Sequence, residues 1–320
     1  MMIREIVHNA LMELARILVP TDFSDAAKRA FEQALALARS GPAEILLLHR
    51  LPLPLPAALP PPADLGVGAF ELVPLLDHYT KEAREKAEER LRDLARRARK
   101  GVRIETTLEE ADEPYEAILR KASEWKADLV VMGTHGRRGI DKLLMGSVAS
   151  AVLHRSEGNV MVLRADSELF ALRATTGAGA KGSEPEPILV PVDFSEGAHR
   201  ALALARTLVS RYQAHLHLLH VVELQHTPLE PGGLSSRFES SPELRGKYDQ
   251  ALRDMLGETE GEIHLAEGTV AGEILWWREK LGARLVVMGS RGLTGLKHLL
   301  MGSIAEKVSR FSEVPVLVVK

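Results

Sequence analysis

The stretch Val131-Met132-Gly133-Thr134-His135-Gly136, followed after nine residues by Gly146-Ser147, sets most of what this chain can become. The same arrangement returns as Val287-Met288-Gly289-Ser290-Arg291-Gly292, with Gly302-Ser303 nine residues further on. Each copy follows a short apolar run, Leu129 to Met132 or Leu285 to Met288, of the kind that a strand buried on both faces requires. Each precedes a helical pattern, Ser147 to Arg155 or Ser303 to Phe311. Strand, glycine loop and helix N-terminus form an α/β arrangement, and the N–H groups that open such a helix favour an anion or a nucleotide.

Upstream of the first copy the chain reads as alternating strands and helices. Ile17 to Pro20 is a short strand running into Thr21-Asp22-Phe23-Ser24. Ala27, Ala30, Phe31, Ala34, Leu35 and Ala38 then recur at helical spacing, with Ser24 as N-cap. Gly41-Pro42 stops that helix and Ile45 to Leu48 starts another buried strand, so the crossover demands a parallel pair. Residues Leu51 to Pro74 mix proline with apolar residues and are expected to form a loop or lid, because proline lacks a donor and fixes φ. Leu75 to Lys100 is a charged run with helical spacing, read as a solvated helix face. Val102 to Leu108 supplies a third strand, Pro114 opens a helix through Trp125, and Val160 to Leu163 is the fifth strand.

The cycle restarts at Ile188. Asp193 matches Asp22, Ser195 matches Ser24 and His220 matches His49, all at an offset of 171. At the glycine loops the offset is 156, so the second copy is fifteen residues shorter. The expected division is an N-terminal extension over 1–15, a first domain over 16–165, a linker over 166–187 and a second domain over 188–320. Thr175-Thr176-Gly177-Ala178-Gly179 and the alternating Glu-Pro that follows mark the linker. In the extension Ile3, Val7, Ala10, Leu11 and Leu14 share one helical face, with no counterpart in the second half. A chain of 320 residues with 45% hydrophobic content gives each half enough to bury a core.

Composition narrows the function classes. A net charge of -3 gives no general basic field, and 4% aromatic content leaves few stacking platforms, so nucleic acid is not an expected partner. The lack of cysteine removes disulfides and thiolate chemistry. Met1 to Ala15 carries Arg4, Glu5, His8 and Glu13 among its apolar residues, unlike a secretory leader, and no apolar run reaches membrane length. A cytoplasmic location without membrane contact is the expectation.

Gly133 and Gly136 in one loop, and Gly289 and Gly292 in the other, permit a sharp turn and a close backbone approach to a ligand. Gly146-Ser147 and Gly302-Ser303 would present N–H groups and a hydroxyl at a helix start, where phosphate oxygens are held. Arg137, Arg138 and Lys142, and in the second loop Arg291, Lys297 and His298, add positive charge. On the residues alone, the loops are either such an anion site or tight turns. Asp22 and Asp193 stand just past a strand end; each either accepts donors from ribose and adenine or caps the following turn. Neither loop is a Walker-type phosphate loop or a GxGxxG fingerprint. His49 and His220 are read as satisfied sheet-end histidines, and Trp125, Trp276 and Trp277 as packing residues. Ser195 is read as a cap, so no catalytic or metal-ligating residue is expected.

Together, Pro20-Thr21-Asp22-Phe23-Ser24, Ala127-Asp128-Leu129-Val130-Val131-Met132-Gly133 and the pattern Gly-x2-Gly-x9-Gly-Ser closely resemble the universal stress protein family. The second half repeats Pro191-Val192-Asp193-Phe194-Ser195, the same glycine pattern, and the family-like ending Val314-Pro315-Val316-Leu317-Val318-Val319. The resemblance implies, for each half, a five-stranded parallel sheet of order 3-2-1-4-5 with helices on both faces. It implies pairing through the last strands, which a tandem chain can satisfy between its own halves as a pseudo-dimer, a homodimer being the alternative. Members with this glycine pattern usually bind ATP, and Mg2+ would accompany the phosphates. By that likeness the adenine-nucleotide residues are Asp22, Gly133, Gly136, Gly146 and Ser147, and then Asp193, Gly289, Gly292, Gly302 and Ser303. The function implied is regulation of an unidentified partner protein in stress tolerance. A slow Mg-dependent ATPase or phosphotransfer enzyme, and a structural interaction protein with vestigial loops, are the alternatives.

The chain departs from the family pattern in two places. Members commonly carry glycine, any residue, then proline before the third helix, whereas the halves read Asp112-Glu113-Pro114 and Gly268-Thr269-Val270. Asp112 is expected to narrow the first site or repel nucleotide there, leaving the second site tighter. Asn159-Val160 stands where proline is usual and restores a ladder donor at the half-to-half edge.

Overall fold

The computed structural model describes residues 14–39, 43–52, 69–98, 101–111, 113–135, 145–170, 185–223, 241–292 and 301–320. Residues 1–13 of the expected extension, 53–68 of the proline loop and 171–184 of the linker lie outside them. So do Asp112 and the loop residues 136–144 and 293–300, which include Gly136, Arg137, Arg138, Lys142, Lys297 and His298.

The first half contains β1 (Arg16–Pro20), α1 (Asp25–Ala38), β2 (Glu44–Pro52), α2 (Ala69–Ala98), β3 (Arg103–Ala111), α3 (Pro114–Glu124), β4 (Leu129–Gly133), α4 (Ser147–Arg155) and β5 (Asn159–Leu163). The second repeats the succession as β6 (Pro187–Pro191), α5 (Glu196–Tyr212), β7 (His215–Glu223), α6 (Pro242–Leu256), β8 (Gly261–Gly268), α7 (Val270–Lys280), β9 (Leu285–Gly289), α8 (Ser303–Phe311) and β10 (Val316–Val319). Within each half the strands are parallel and ordered 3-2-1-4-5, as expected. No described helix is long and apolar enough to cross a membrane.

Alternate residues of one strand serve two cores. In β4, Leu129 and Val131 face the layer of α1 and α2, whereas Val130 and Met132 face that of α3 and α4. This two-sided burial is why β4 and β9 read as unbroken apolar runs. Each fully buried Leu, Ile or Val contributes about 1.5–3 kcal/mol relative to exposure. Both cores run through both halves, so that Ile17 and Leu285 belong to one cluster and Leu18 and Val286 to the other.

The proline-rich stretch is shorter than its composition suggests. β2 runs on to Pro52, which pairs with Ala111 of β3, and α2 begins at Ala69, five residues before Pro74. Pro74 lacks an N–H and so removes one backbone bond. A 30-residue helix with strong helix formers after that point outweighs the loss.

The halves join through β5 and β10, which pair antiparallel with Val160 opposite Val318, Met161 opposite Leu317 and Val162 opposite Val316. Asn159 braces the join: its Nδ2 donates to the Asp128 carbonyl at 3.2 Å, and its Oδ1 accepts from the Lys320 N–H at 3.2 Å. Proline at that position would provide neither bond. Lys320 Nζ donates to the Leu153 carbonyl in the last turn of α4 at 2.6 Å, where a helix favours a cation.

On the opposite face, α1 meets α5 through the segment after β5. The Tyr212 hydroxyl donates to the Leu37 carbonyl at 3.3 Å, and its ring meets Phe170 edge-on at 6.0 Å. Gln33, 0% exposed, exchanges two bonds with the Phe170 backbone: Oε1 accepts from the N–H at 2.9 Å, and Nε2 donates to the carbonyl at 3.4 Å. Glu168 pairs with Arg284 of the second half. Substitution Gln33→Ala leaves that buried backbone without its amide partner and opens a cavity, so a loss of about 2–4 kcal/mol is expected in denaturant unfolding. An unchanged midpoint would show that the segment is not part of the cooperative core.

Candidate functional site

β1 and β6 end in the same turn. The Thr21 N–H donates to the Leu48 carbonyl at 2.8 Å, as Val192 does to Leu219 at 2.8 Å. Asp22 Oδ1 then accepts from the Ser24 N–H at 2.9 Å, and Asp193 Oδ1 from Ser195 at 3.1 Å. Ser24 and Ser195 cap α1 and α5, each hydroxyl accepting at 3.2 Å from the N–H three residues on. One oxygen of each aspartate is thus committed to the turn, which is the capping role that the residues alone left open.

Between aspartate and serine, Phe23 at φ +65° and Phe194 at φ +62° occupy the left-handed region, uncommon for an aromatic residue. The rings are held by packing on His49 at 4.5 Å and His220 at 4.7 Å. Each histidine in turn donates from Nδ1 to the turn itself, His49 to the Thr21 carbonyl at 2.6 Å and His220 to Val192 at 2.8 Å. They are satisfied, as expected, and they clamp the strained phenylalanine. The halves then diverge: the Arg90 guanidinium lies 4.0 Å over Phe23, whereas Tyr248 stacks on Phe194 and His220 at 6.3 and 4.8 Å.

The neighbouring strands β4 and β9 bring the glycines to these turns. A Cβ on Gly133 would sit 2.7 Å from Ala26 Cβ, and one on Gly289 2.7 Å from the Gly197 backbone, so the first turns of α1 and α5 leave no room for a side chain. Each loop closes on itself through one bond, Gly146 N–H to the Thr134 carbonyl and Gly302 N–H to the Ser290 carbonyl, both 2.7 Å. Gly146 and Gly302 are also the N-caps of α4 and α8 and offer no side chain to the free N–H groups of those helices. Exposed Ser147 and Ser303 follow. α4 and α8 therefore lack the hydroxyl cap that α1 and α5 have.

In the second half the site residues meet directly. The Asp193 carboxylate lies against Gly292, Oδ2 occupying the space a Cβ would need. Ser195 Oγ donates to the Arg291 carbonyl at 3.4 Å, tying the loop after β9 to the turn after β6. Asp22, Gly133, Gly146 and Ser147 take the equivalent places in the first half, and Gly136 lies outside the described residues. The Lys320 ammonium, half-buried and within electrostatic reach of Arg291, is held down to about 8, burial being the larger cause.

Several contributors escape a reading of the sequence. Lys320 feels the charge of Arg291 because β10 lies beside β9. Arg90 sits in a helix whose pattern showed only a solvated face, and Tyr248 sits in α6. Trp125 and Trp277 pack on the core as expected, but Trp276 is 51% exposed, with the Lys280 ammonium 4.6 Å from its ring. Adjacent helical residues point about 100° apart, so two consecutive tryptophans cannot both face the sheet.

A family model described as the Universal stress protein family matches residues 13–164 and 185–320. A universal stress protein of Synechocystis is 28% identical over 154 residues, which cover 48% of this chain and 99% of that protein. One from Methanocaldococcus jannaschii is 33% identical over 139 residues, covering 42% of this chain and 81% of that protein. The crystal structure of a universal stress protein from Archaeoglobus fulgidus is similar along both halves, with a TM-score of 0.68, 27% identity, and 97% of this chain and 99% of that chain covered.

Two predictions follow from the geometry. Gly289→Ala forces a methyl into the Gly197 backbone and is expected to cost about 1–3 kcal/mol in denaturant unfolding. Gly302→Ala, with 3.5 Å to the nearest atom, is expected to cost no more than about 1 kcal/mol, the difference between caps. Equal losses would contradict the close approach of α5 to β9. The second concerns pH. Burial pushes the His220 imidazole below its ordinary 6.5, its bond to Val192 and the Asp193 charge opposing only in part. The native state thus binds fewer protons than the unfolded chain below pH 6.5, and stability present above that value falls as pH falls through it. His220→Gln should flatten the stability–pH slope there; an unaltered slope would assign it wholly to other groups.

Proposed function

Because the chain belongs to the universal stress protein family, carrying two such domains in tandem, we propose that it binds adenine nucleotide and thereby regulates a partner protein in the cytoplasm during stress. The units taken to bind are residues 16–165 and 188–320, and the ligand is ATP with Mg2+ accompanying its phosphates. The observation that carries this reading is the meeting of Asp193, Gly292 and the uncapped start of α8 at one end of the second sheet. A carboxylate beside a side-chain-free loop suits ribose hydroxyls and an adenine amine. Uncapped helix N–H groups suit phosphate oxygens.

In this reading Asp22 and Asp193 accept donors from the nucleoside, with Oδ1 of each already anchored in its turn. Gly133 and Gly136, and Gly289 and Gly292, line the loop where a ligand passes close to backbone. Gly146-Ser147 and Gly302-Ser303 hold phosphate oxygens through N–H and hydroxyl. Arg291 and Lys320 add positive charge to the second site. The second site is the tighter, because it keeps Gly268 where the first half carries Asp112.

Native mass spectrometry of the freshly purified chain, followed by titration with ATP and Mg2+, tests the proposal. Up to two nucleotides per chain are expected. Asp193→Ala and Gly292→Ala are each expected to weaken the tighter site by at least about tenfold, the latter by crowding Asp193. Bare protein that ignores ATP and Mg2+ would overturn nucleotide binding. Equal affinities in variants disabled at one loop or the other would overturn the asymmetry alone.

A further inference from the structure

One edge of the second half holds a side-chain cluster with no part in nucleotide binding. His215 and His217 stand two residues apart in β7 and so face one side; Glu262 of β8 is the register partner of His217, and His264 follows two residues on. That side is covered by α7, whose Trp277 ring lies 4.6 Å from His264. The cluster lies toward the start of the strands, whereas the glycine loop lies past their ends.

The polar ends of these side chains come close in pairs. His217 Nδ1 is 3.0 Å from His264 Nε2 and 3.8 Å from Glu262 Oε2. His264 Nε2 is 3.9 Å from that same oxygen, and His215 Nε2 is 3.5 Å from Glu262 Oε1. One donor atom each from His215, His217 and Glu262 lie within 4.8 Å of one another. A tetrahedral ion bound by nitrogen and oxygen at about 2.0–2.1 Å has its corners about 3.4 Å apart. The pairwise spacings fall on either side of that value.

Two further features suit an ion. His215 Nε2 is shielded from solvent and makes no hydrogen bond, which buried polar atoms seldom do. His217 is itself buried and the Trp277 ring covers His264, so the cluster is screened from bulk water. The opposing charge is Lys280 of α7, 4.3 Å from the Trp277 ring, against which Glu262 supplies a carboxylate. Imidazoles with one carboxylate match the preference of zinc-class ions.

We propose that His215, His217 and Glu262, with His264 hydrogen-bonded to His217 beside them, hold a divalent transition-metal ion of the zinc class, which staples β7 to the edge strand β8. The first half supplies a different fastening at the same place. Glu44 and Leu46 match His215 and His217 at the offset of 171, and there Arg103 of edge strand β3 pairs with Glu44 of β2 at 3.5 Å and with Glu105 at 2.6 Å.

The full, tag-free chain is dialysed against Zn2+ alone, without nucleotide, and bound metal is counted beside His217→Gln and Glu262→Gln. One tightly held Zn2+ per chain is expected. Each variant is expected to lose at least about tenfold in affinity for that ion, and Co2+ should give the intense visible absorption of a four-coordinate site in the parent chain alone. Circular dichroism in the presence of a chelator confirms that the variants fold. Glu262, with a 60% exposed side chain, keeps the test decisive if His217→Gln does not. No stoichiometric zinc, or equal binding by parent and Glu262→Gln, would overturn the proposal.

Discussion

The hydrogen-bonded pairing of β5 with β10 is the constraint on which the rest of the molecule rests. An open sheet edge exposes a row of backbone donors and acceptors, and pairing two such edges satisfies both at once. Here that pairing makes one ten-stranded sheet, with β3 and β8 as its outer strands. It also makes each core continuous across the halves. Both glycine loops depend on the joining strands as well: Thr134 N–H bonds the Leu163 carbonyl of β5 at 2.9 Å, and Ser290 N–H bonds Val319 of β10 at 2.8 Å. The central ladder therefore sets where both candidate ligand loops begin.

On this shared frame the two halves have been filled differently. The turn after the first strand is the same in both, down to a phenylalanine with positive φ clamped by a histidine. Around it, Arg90 covers one ring and Tyr248 the other, and Ala26 faces Gly133 where Gly197 faces Gly289. The turn, its aspartate and the Gly-Ser helix start are thus the same in both copies, while the side chains packed around the ring and those that fasten the sheet edge are not. Two copies of one fold need not carry two copies of one activity.

The strand and helix succession was legible because buried parallel strands leave apolar runs and the helices leave a three-to-four-residue rhythm. The strand order came with the family resemblance, and the sheet bears it out. Composition misled at Ala69 to Pro74, where the proline sits in a helix long enough to absorb it. The two roles weighed for Asp22 and Asp193 could not be separated without coordinates, which show Oδ1 of each capping the turn. The histidine cluster did leave a signal in the i,i+2 spacing of His215 and His217 and of Glu262 and His264. Reading the histidines one at a time hid it, since the register of β7 against β8 is a tertiary fact. Lys320 left no signal at all.

The antiparallel join also reverses the polarity of the sheet. Strands of the first half run one way and those of the second run the other, so their C-terminal ends emerge at opposite rims. The molecule accordingly has two heads and no common mouth. A partner docking on one rim would meet the glycine loop of one half and the strand beginnings of the other. Such a body sends the strand ends that lead into its two glycine loops to opposite sides.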